Sequence, residues 1–193
     1  MIPAAIIIGV WLRYSNPWAL RVWATTVVVT YAIVALSKVL FKGWGLSFEY
    51  LDIAVLSGHA MNTCLMLTVG ASLVARRFNP TLRWPAAVAG LLASGWFSAY
   101  CVAPYIHPLN EALAGAVLGA VAAMVFLWRI EPAQVQVPPA LMAGGLVLLL
   151  VCALVPKYNA EGLLNHVAVS LSGAKQAYRE PAWRLETAHS KAE

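Results

Sequence analysis

The sequence predicts an all-α integral membrane protein, a six-helix bundle followed by an amphipathic C-terminal tail. Of its 193 residues, 61% are hydrophobic and only 11% are charged, whereas a soluble domain has about 45–50% and roughly 25%. Three charge-free stretches exceed the ~20 residues that cross a bilayer as a helix. This composition excludes a soluble globular enzyme and, without clusters of basic and aromatic residues, gives no reason to expect nucleic-acid binding.

The charge-free stretches divide the chain into a membrane domain, residues 1–156, and an extramembrane tail, residues 157–193. The six predicted helices cover residues 1–12, 17–38, 53–75, 84–110, 112–128 and 132–156. The first is short, because 12 to 16 helical residues reach only about 18–24 Å of a ~30 Å hydrocarbon core.

Arginines mark one side of the predicted bundle. They fall in the loops after the first, third and fifth helices, at Arg13, Arg21, Arg76, Arg77, Arg83 and Arg129. Basic residues in short loops stay in the cytoplasm. We therefore expect a bacterial inner-membrane protein whose opposite end, with the tail, faces the periplasm.

The tail carries apolar residues at helical spacing, namely Leu163, Val167, Leu171, Ala174 and Tyr178. Such a pattern predicts an amphipathic helix on the outer membrane surface. The same helix can instead dock on a protein partner or cover the mouth of a site.

Two further patterns favour packing over chemistry. Gly115 and Gly119 form a GxxxG spacing, which in a membrane span is typical of close helix packing. The three cysteines, Cys64, Cys101 and Cys152, lie in different apolar segments without metal-ligand spacing, so we interpret them as small buried hydrophobic residues.

Ionisable residues inside or beside apolar spans indicate function, because they are costly in a membrane unless they have a partner. Five candidates remain under this criterion: Lys38, Asp52, His59, His107 and Glu111. They come from separate parts of the chain. With alternating helices, all five fall at the non-cytoplasmic end.

His107 and Glu111 are four residues apart, so on one helix they would share a face. A carboxylate that accepts a hydrogen bond from one imidazole nitrogen raises the basicity of the other, which suits a nucleophile or base. The pair is equally consistent with a helix-start carboxylate that complements the helix dipole beside a capping histidine.

Ser57-Gly58-His59 supplies a second element. Glycine lets the backbone approach an anion, and amides near a helix start, with a serine hydroxyl, can hold phosphate oxygens. The adjacent histidine can protonate a leaving oxygen. Ser-Gly is also common in ordinary turns, so the tripeptide gains meaning only from its position opposite His107.

Together these segments resemble the type 2 phosphatidic acid phosphatase superfamily, membrane lipid phosphatases with a six-helix core. The family has a lysine followed by Arg-Pro, then Pro-Ser-Gly-His, then Ser-Arg, five residues, His, three residues and Asp. Ser57-Gly58-His59 matches the second motif without its proline, and His107 with Glu111 matches the end of the third with glutamate in place of aspartate. The resemblance covers residues 38–121.

The chain departs from the family at both motif arginines. If Lys38 is the family lysine, Gly45 stands where the first arginine belongs, and Cys101 stands in place of the second. Charge-assisted contacts of this kind commonly contribute a few kcal/mol each to a phosphate site. An arginine from the tail, Arg179 or Arg184, can enter the site instead.

The resemblance implies a reaction through a phosphohistidine. His107 would attack phosphorus, Glu111 would orient and charge-balance it, and His59 would protonate the departing oxygen. Water activated by His59 would then release phosphate. The scheme needs no metal and no cofactor, and the sequence offers no carboxylate cluster for a metal.

The resemblance also assigns the phosphate oxygens to Lys38, with Lys42, the Ser57 hydroxyl and the Ser57-Gly58 amides. A site at the outer end of a helix bundle is within reach of lipid headgroups. The implied function is hydrolysis of a lipid phosphomonoester or diphosphate, such as polyprenyl diphosphate or a phosphatidate-like lipid.

Three other interpretations stay open. The chain can be an inactive relative that kept the fold and serves as a membrane subunit or lipid-phosphate binder. Two histidines on neighbouring helices can also ligate a haem iron. An intramembrane serine protease using Ser57 is the remotest, because no histidine pairs with a glycine-flanked serine in the expected arrangement.

Overall fold

In a computed structural model of the chain, all regular secondary structure of the residues described is helical. These residues are 2–103, 108–131, 136–154, 161–181 and 183–184. The helices are α1 (Ile2–Ser15), α2 (Pro17–Trp44), α3 (Gly58–Phe78), α4 (Arg83–Phe97), α5 (Leu109–Arg129), α6 (Pro139–Leu154) and α7 (Glu161–Ser172). The predicted nucleophile, His107, lies outside the described residues.

Four helices are long and apolar enough to cross a membrane: α2, α3, α5 and α4 with its flanking turns. The short apolar helices α1 and α6 have 14 and 16 residues, or about 21 and 24 Å at 1.5 Å per residue. The prediction of a helical membrane protein is thus confirmed. A count of six complete spans is not, because α1 and α6 are shorter than a ~30 Å core.

A capped turn joins α1 to α2. Asn16 caps α2 by accepting hydrogen bonds from the backbone of Trp18 and Ala19, and Pro17 occupies the first helical position, where its missing N–H is not needed. The two helices pack antiparallel, and the Trp23 indole donates to the Ala5 carbonyl at 2.9 Å.

Helix α2 is longer than predicted. It continues past Lys38 to Trp44 and ends at Gly45, whose φ of 70° is the left-handed conformation that glycine adopts readily. Lys38 is therefore inside a helix and only 9% exposed. With 28 residues, α2 is about 42 Å long, which exceeds the thickness of a ~30 Å hydrocarbon core.

The predicted start of the third helix and end of the fourth are wrong. Helix α3 begins at Gly58, so Asp52 lies in the preceding loop with φ 51°. A π-helical turn, Ser98–Val102, continues α4 and ends well before residue 110. Charge-free sequence includes loops as well as spans, so the absence of charge does not mark where the backbone turns.

Helix α3 lies at the centre and packs against α4 and α5. A Cβ added at Gly115 would lie 2.3 Å from the Ser57 carbonyl oxygen, and one at Gly119 would lie 2.2 Å from that of Met61. Only glycine permits this approach. The interpretation of GxxxG as a packing motif is confirmed, and the contact fixes the start of α3 beside α5.

Candidate functional site

The start of α3 is tightly held. Ser57 is the N-cap, its hydroxyl accepts a hydrogen bond from the Ala60 amide, and the residue is fully buried. Its own amide donates to the Glu111 carbonyl at 3.2 Å. Gly58 follows, close to α2, where a Cβ would lie 3.4 Å from Val34 Cγ1. His59 is in the first turn of α3 and exposed.

Glu111 connects α5 to the loop before α3. It sits in the first turn of α5 and is only 2% exposed. One carboxylate oxygen accepts from the Ala54 amide at 3.1 Å and from Arg184 Nη2 at 3.1 Å. The candidate residues of the second and third motifs, over fifty positions apart in sequence, are therefore neighbours.

The predicted His107–Glu111 pairing on one helix face does not hold for α5. This helix begins at Leu109, after Pro108, so the four-residue spacing does not place both residues on it. The structure describes Glu111 but not His107.

Arg184 brings a tail arginine to this end of the bundle, as one of the sequence hypotheses anticipated. Its Nε lies 2.9 Å from Asp52 Oδ1, and its Nη2 donates to the Asp52 carbonyl at 2.9 Å and to Glu111. The Trp183 indole adds a 3.3 Å hydrogen bond to the same Asp52 oxygen. Arg179, the other tail candidate, lines a cleft beside α7 instead.

Asp52 and Arg184 each stabilise the charged form of the other. The hydrogen bond from Arg184 lowers the pKa of Asp52 below its ordinary value. Partial burial opposes the charge on Arg184, but Asp52 and Glu111 outweigh it and raise the pKa of the guanidinium. Asp52 has a left-handed backbone, which Asp tolerates better than most residues, and it anchors the tail.

The two lysines predicted to hold phosphate both contact α7. Lys38 forms an ion pair with Glu161. Lys42 Nζ lies 2.9 Å from the other Glu161 oxygen and donates to Asn165 Oδ1 at 2.6 Å. Burial opposes ionisation of Glu161, but hydrogen bonds and charge from both lysines lower its pKa to about 2.

Helix α7 runs beside the end of α2 in the same direction. Glu161 meets Lys38, Asn165 meets Lys42, and farther along Gly43 approaches the Ala168 carbonyl. The predicted apolar residues do not form one helix face: α7 ends at Ser172, before Ala174 and Tyr178, and Leu163 and Leu171 are 68% and 66% exposed. Helix α7 therefore docks on the bundle through polar and small residues.

Sequence reasoning missed Glu161 and Asn165. The available signal was the four-residue spacing of both pairs, Lys38 with Lys42 and Glu161 with Asn165, which gives each pair one helix face. The criterion of an ionisable residue inside or beside an apolar span does not cover the tail, where both residues lie.

Six charged side chains at this end form two groups. Lys38, Lys42 and Glu161 carry one net positive charge, and Arg184, Asp52 and Glu111 carry one net negative charge, so the six together sum to zero. Among the described residues no group of three or more His, Cys, Asp or Glu side chains is arranged to hold a metal ion.

The positions of the two absent motif arginines have structural roles. Gly45 ends α2 and packs against the Tyr178 ring. The backbone amide of Tyr178 donates a hydrogen bond to the Lys42 carbonyl at 3.0 Å. Cys101 lies half-buried in the π-helical turn after α4. Cys64 is buried, as predicted, and the Cys152 side chain lies outside the described residues.

The chain is 31% identical over 124 residues to a Klebsiella pneumoniae protein described as an uncharacterized 22.5 kDa protein in cps region. The match covers 64% of this chain and 59% of the relative, so the chain spans less than two thirds of that protein's length. No family model and no solved structure matches.

Proposed function

We propose that the chain is a membrane lipid phosphatase, a divergent relative of the type 2 phosphatidic acid phosphatase superfamily. One observation carries the proposal: the Ser57-Gly58-His59 helix start lies against the first turn of α5. The Ser57 amide bonds to the Glu111 carbonyl, and the Ala54 amide bonds to the Glu111 carboxylate. The contact between Ser57 of the second motif and Glu111 of the third supports the proposal.

The proposed reaction has two steps. In the first, a nitrogen of His107 attacks phosphorus, the bond from phosphorus to the leaving oxygen breaks, and His59 gives that oxygen a proton. In the second, His59 takes a proton from water, which attacks the phosphohistidine and releases phosphate. Glu111 supplies the negative charge that balances the imidazolium.

Arg184 supplies the guanidinium that the first and third motifs lack. It already lies against Glu111 at 3.1 Å, and a phosphate would bind its planar fork by replacing the contacts with Asp52 and Glu111. Lys38 and Lys42 contribute once a substrate phosphate replaces the Glu161 carboxylate between them.

The proposed substrate is a lipid phosphate, as in a polyprenyl diphosphate or phosphatidate-like lipid. Lys38 lies 21 residues beyond Pro17 in α2, about 32 Å along the helix and therefore at headgroup level. The arginine-rich loops belong to the opposite end, so we propose a periplasmic site in a bacterial inner membrane.

A second candidate, a non-catalytic relative that binds lipid or a protein partner, is favoured by the charge balance. Lys38, Lys42 and Arg184 all have carboxylate partners. A site with no surplus positive charge attracts a phosphate dianion less strongly than an unpaired clamp does.

The deciding experiment measures phosphate release by the detergent-purified protein, in EDTA, from polyprenyl diphosphate, phosphatidic acid and phosphatidylglycerol phosphate. His107→Ala should abolish release, and His59→Ala should lower it about 10²–10⁴-fold, the usual contribution of a general acid. His189→Ala, the same substitution in the tail, should leave release unchanged.

Release that survives His107→Ala would exclude the phosphohistidine. Folded protein that releases nothing from any of the three lipids would favour the non-catalytic relative.

A further inference from the structure

A cleft of about 370 Å³ lies between α7, the end of α2 and the tail segment after α7. Its polar lining residues are Lys42, Asn165, His166, Gln176, Tyr178 and Arg179. Of the described residues that line it, none is acidic. The cleft thus combines a concave shape with two permanent cations and one histidine.

The lining keeps hydrogen-bond donors for a ligand. The Lys42 ammonium has three N–H groups, and its contacts with Glu161 Oε2 and Asn165 Oδ1 use two of them. Because the Asn165 oxygen accepts from Lys42, the amide nitrogen of Asn165 retains two N–H donors. Gln176 is exposed beside the cleft and adds a third amide.

Charge favours an oxyanion over a neutral ligand. Arg179 and His166 are exposed, and the guanidinium presents a planar fork that matches phosphate oxygens. Glu161 offsets one of the two lysine charges beside the cleft, so Lys38, Lys42 and Glu161 together keep one net positive charge. We propose that this cleft binds a phosphate-type oxyanion through Lys42, Arg179 and His166.

The position of the cleft along α2 limits where its anionic ligand can come from. Lys42 lies 25 residues beyond Pro17 in α2, about 38 Å along the helix and past a ~30 Å hydrocarbon core. The cleft is therefore at the level of headgroups or in water. Its ligand is either the phosphate of a lipid headgroup or a free phosphate ester. Binding in the cleft does not depend on hydrolysis of that ligand.

The test uses the full chain with His107→Ala, so that hydrolysis plays no part. The protein is placed in nanodiscs of zwitterionic lipid and titrated with inorganic phosphate. In a second arm, the nanodiscs contain phosphatidic acid and no free phosphate. The readout is the NMR chemical shift of the His166 imidazole nitrogens, which a hydrogen bond to a bound anion changes.

If the ligand is a free phosphate ester, inorganic phosphate in the first arm should shift the His166 signal saturably. If the ligand is a lipid headgroup, phosphatidic acid in the second arm should shift it. A shift in either arm supports the site. Arg179→Gln should weaken binding about tenfold or more, the effect of losing one charged hydrogen bond. Lys175→Gln removes the same charge from a tail residue that does not line the cleft, and it should leave the affinity unchanged.

Two results would overturn the proposal. One is a His166 signal that shifts in neither arm. The other is an equal loss of affinity in Arg179→Gln and Lys175→Gln, because that would show attraction to the charge of the tail as a whole. Both results are independent of the phosphatase proposal, since the background variant lacks its nucleophile.

Discussion

Gly115→Ala should separate α5 from the start of α3. The new Cβ would lie 2.3 Å from the Ser57 carbonyl oxygen and 3.2 Å from Ser57 Cα, whereas ordinary van der Waals contact begins near 3.4 Å. The helices must therefore move apart by about 1 Å. The obstructing atoms belong to the backbone, so no side-chain rotation can relieve the contact.

The magnitude is the difference of two effects. Overpacking a close interface costs about 1–3 kcal/mol, and a clash with rigid backbone belongs in the upper half of that range. Replacing glycine by alanine inside a helix returns about 1 kcal/mol. We expect Gly115→Ala to lower the free energy of unfolding by about 1–2 kcal/mol and to weaken the Ser57–Glu111 hydrogen bond.

Gly70→Ala is the matched control. It is the same substitution within α3, and a Cβ there meets nothing within 4 Å. It should be neutral or stabilising by up to about 1 kcal/mol. Unfolding of both variants in detergent micelles, followed by circular dichroism, gives the comparison. Equal stability of the two variants would refute the close approach of α5 to Ser57.

Three further predictions concern the ion pairs that hold the tail and the N-cap of α2. The lowered pKa of Glu161, about 2 against the ordinary 4.5, means that its ion pairs support α7 fully above pH 4.5 and are lost as pH falls towards 2. Protease cleavage of the tail should accelerate across that window, and a flat profile would contradict the pairing. Arg184→Gln should lower the unfolding free energy by about 1–2 kcal/mol, because the buried Glu111 loses a charged donor; an unchanged thermal midpoint would count against this contact. Asn16→Ala should lower stability by about 1 kcal/mol through loss of the α2 cap, and a double variant with Arg184→Gln should show additive effects.

Hydropathy was sufficient to predict the membrane class and the approximate helices. Charge-free length predicted α2, α3, α4 and α5, and GxxxG predicted close packing of the helix that carries it, whereas the structure identified α3 as the partner of α5. The boundaries failed where loops are as apolar as spans, as in residues 53–57, which precede α3. The hydrophobic pattern of the sequence cannot show that these residues form a loop, because the loop is held by hydrogen bonds to the distant residues Glu111 and Ser37.

The candidate site was predicted in part. Ionisable residues next to apolar spans pointed to Lys38, Asp52, His59 and Glu111, because charge is costly in lipid wherever it lies. The partners of those residues were not predicted. Glu161 is more than 100 positions from Lys38, and local sequence carries no information about which distant charge closes a pair.

The sequence by itself determined that this chain is a helical membrane protein with its unusual polar residues at span ends. The physical reason is local: lipid requires apolar side chains and helical backbone from every segment that crosses it. Only the tertiary structure decided how the charges combine. The ion pairs depend on the tail returning along α2 to place Glu161 on two lysines and Arg184 on Asp52 and Glu111, and that return is set by contacts between residues far apart in the chain.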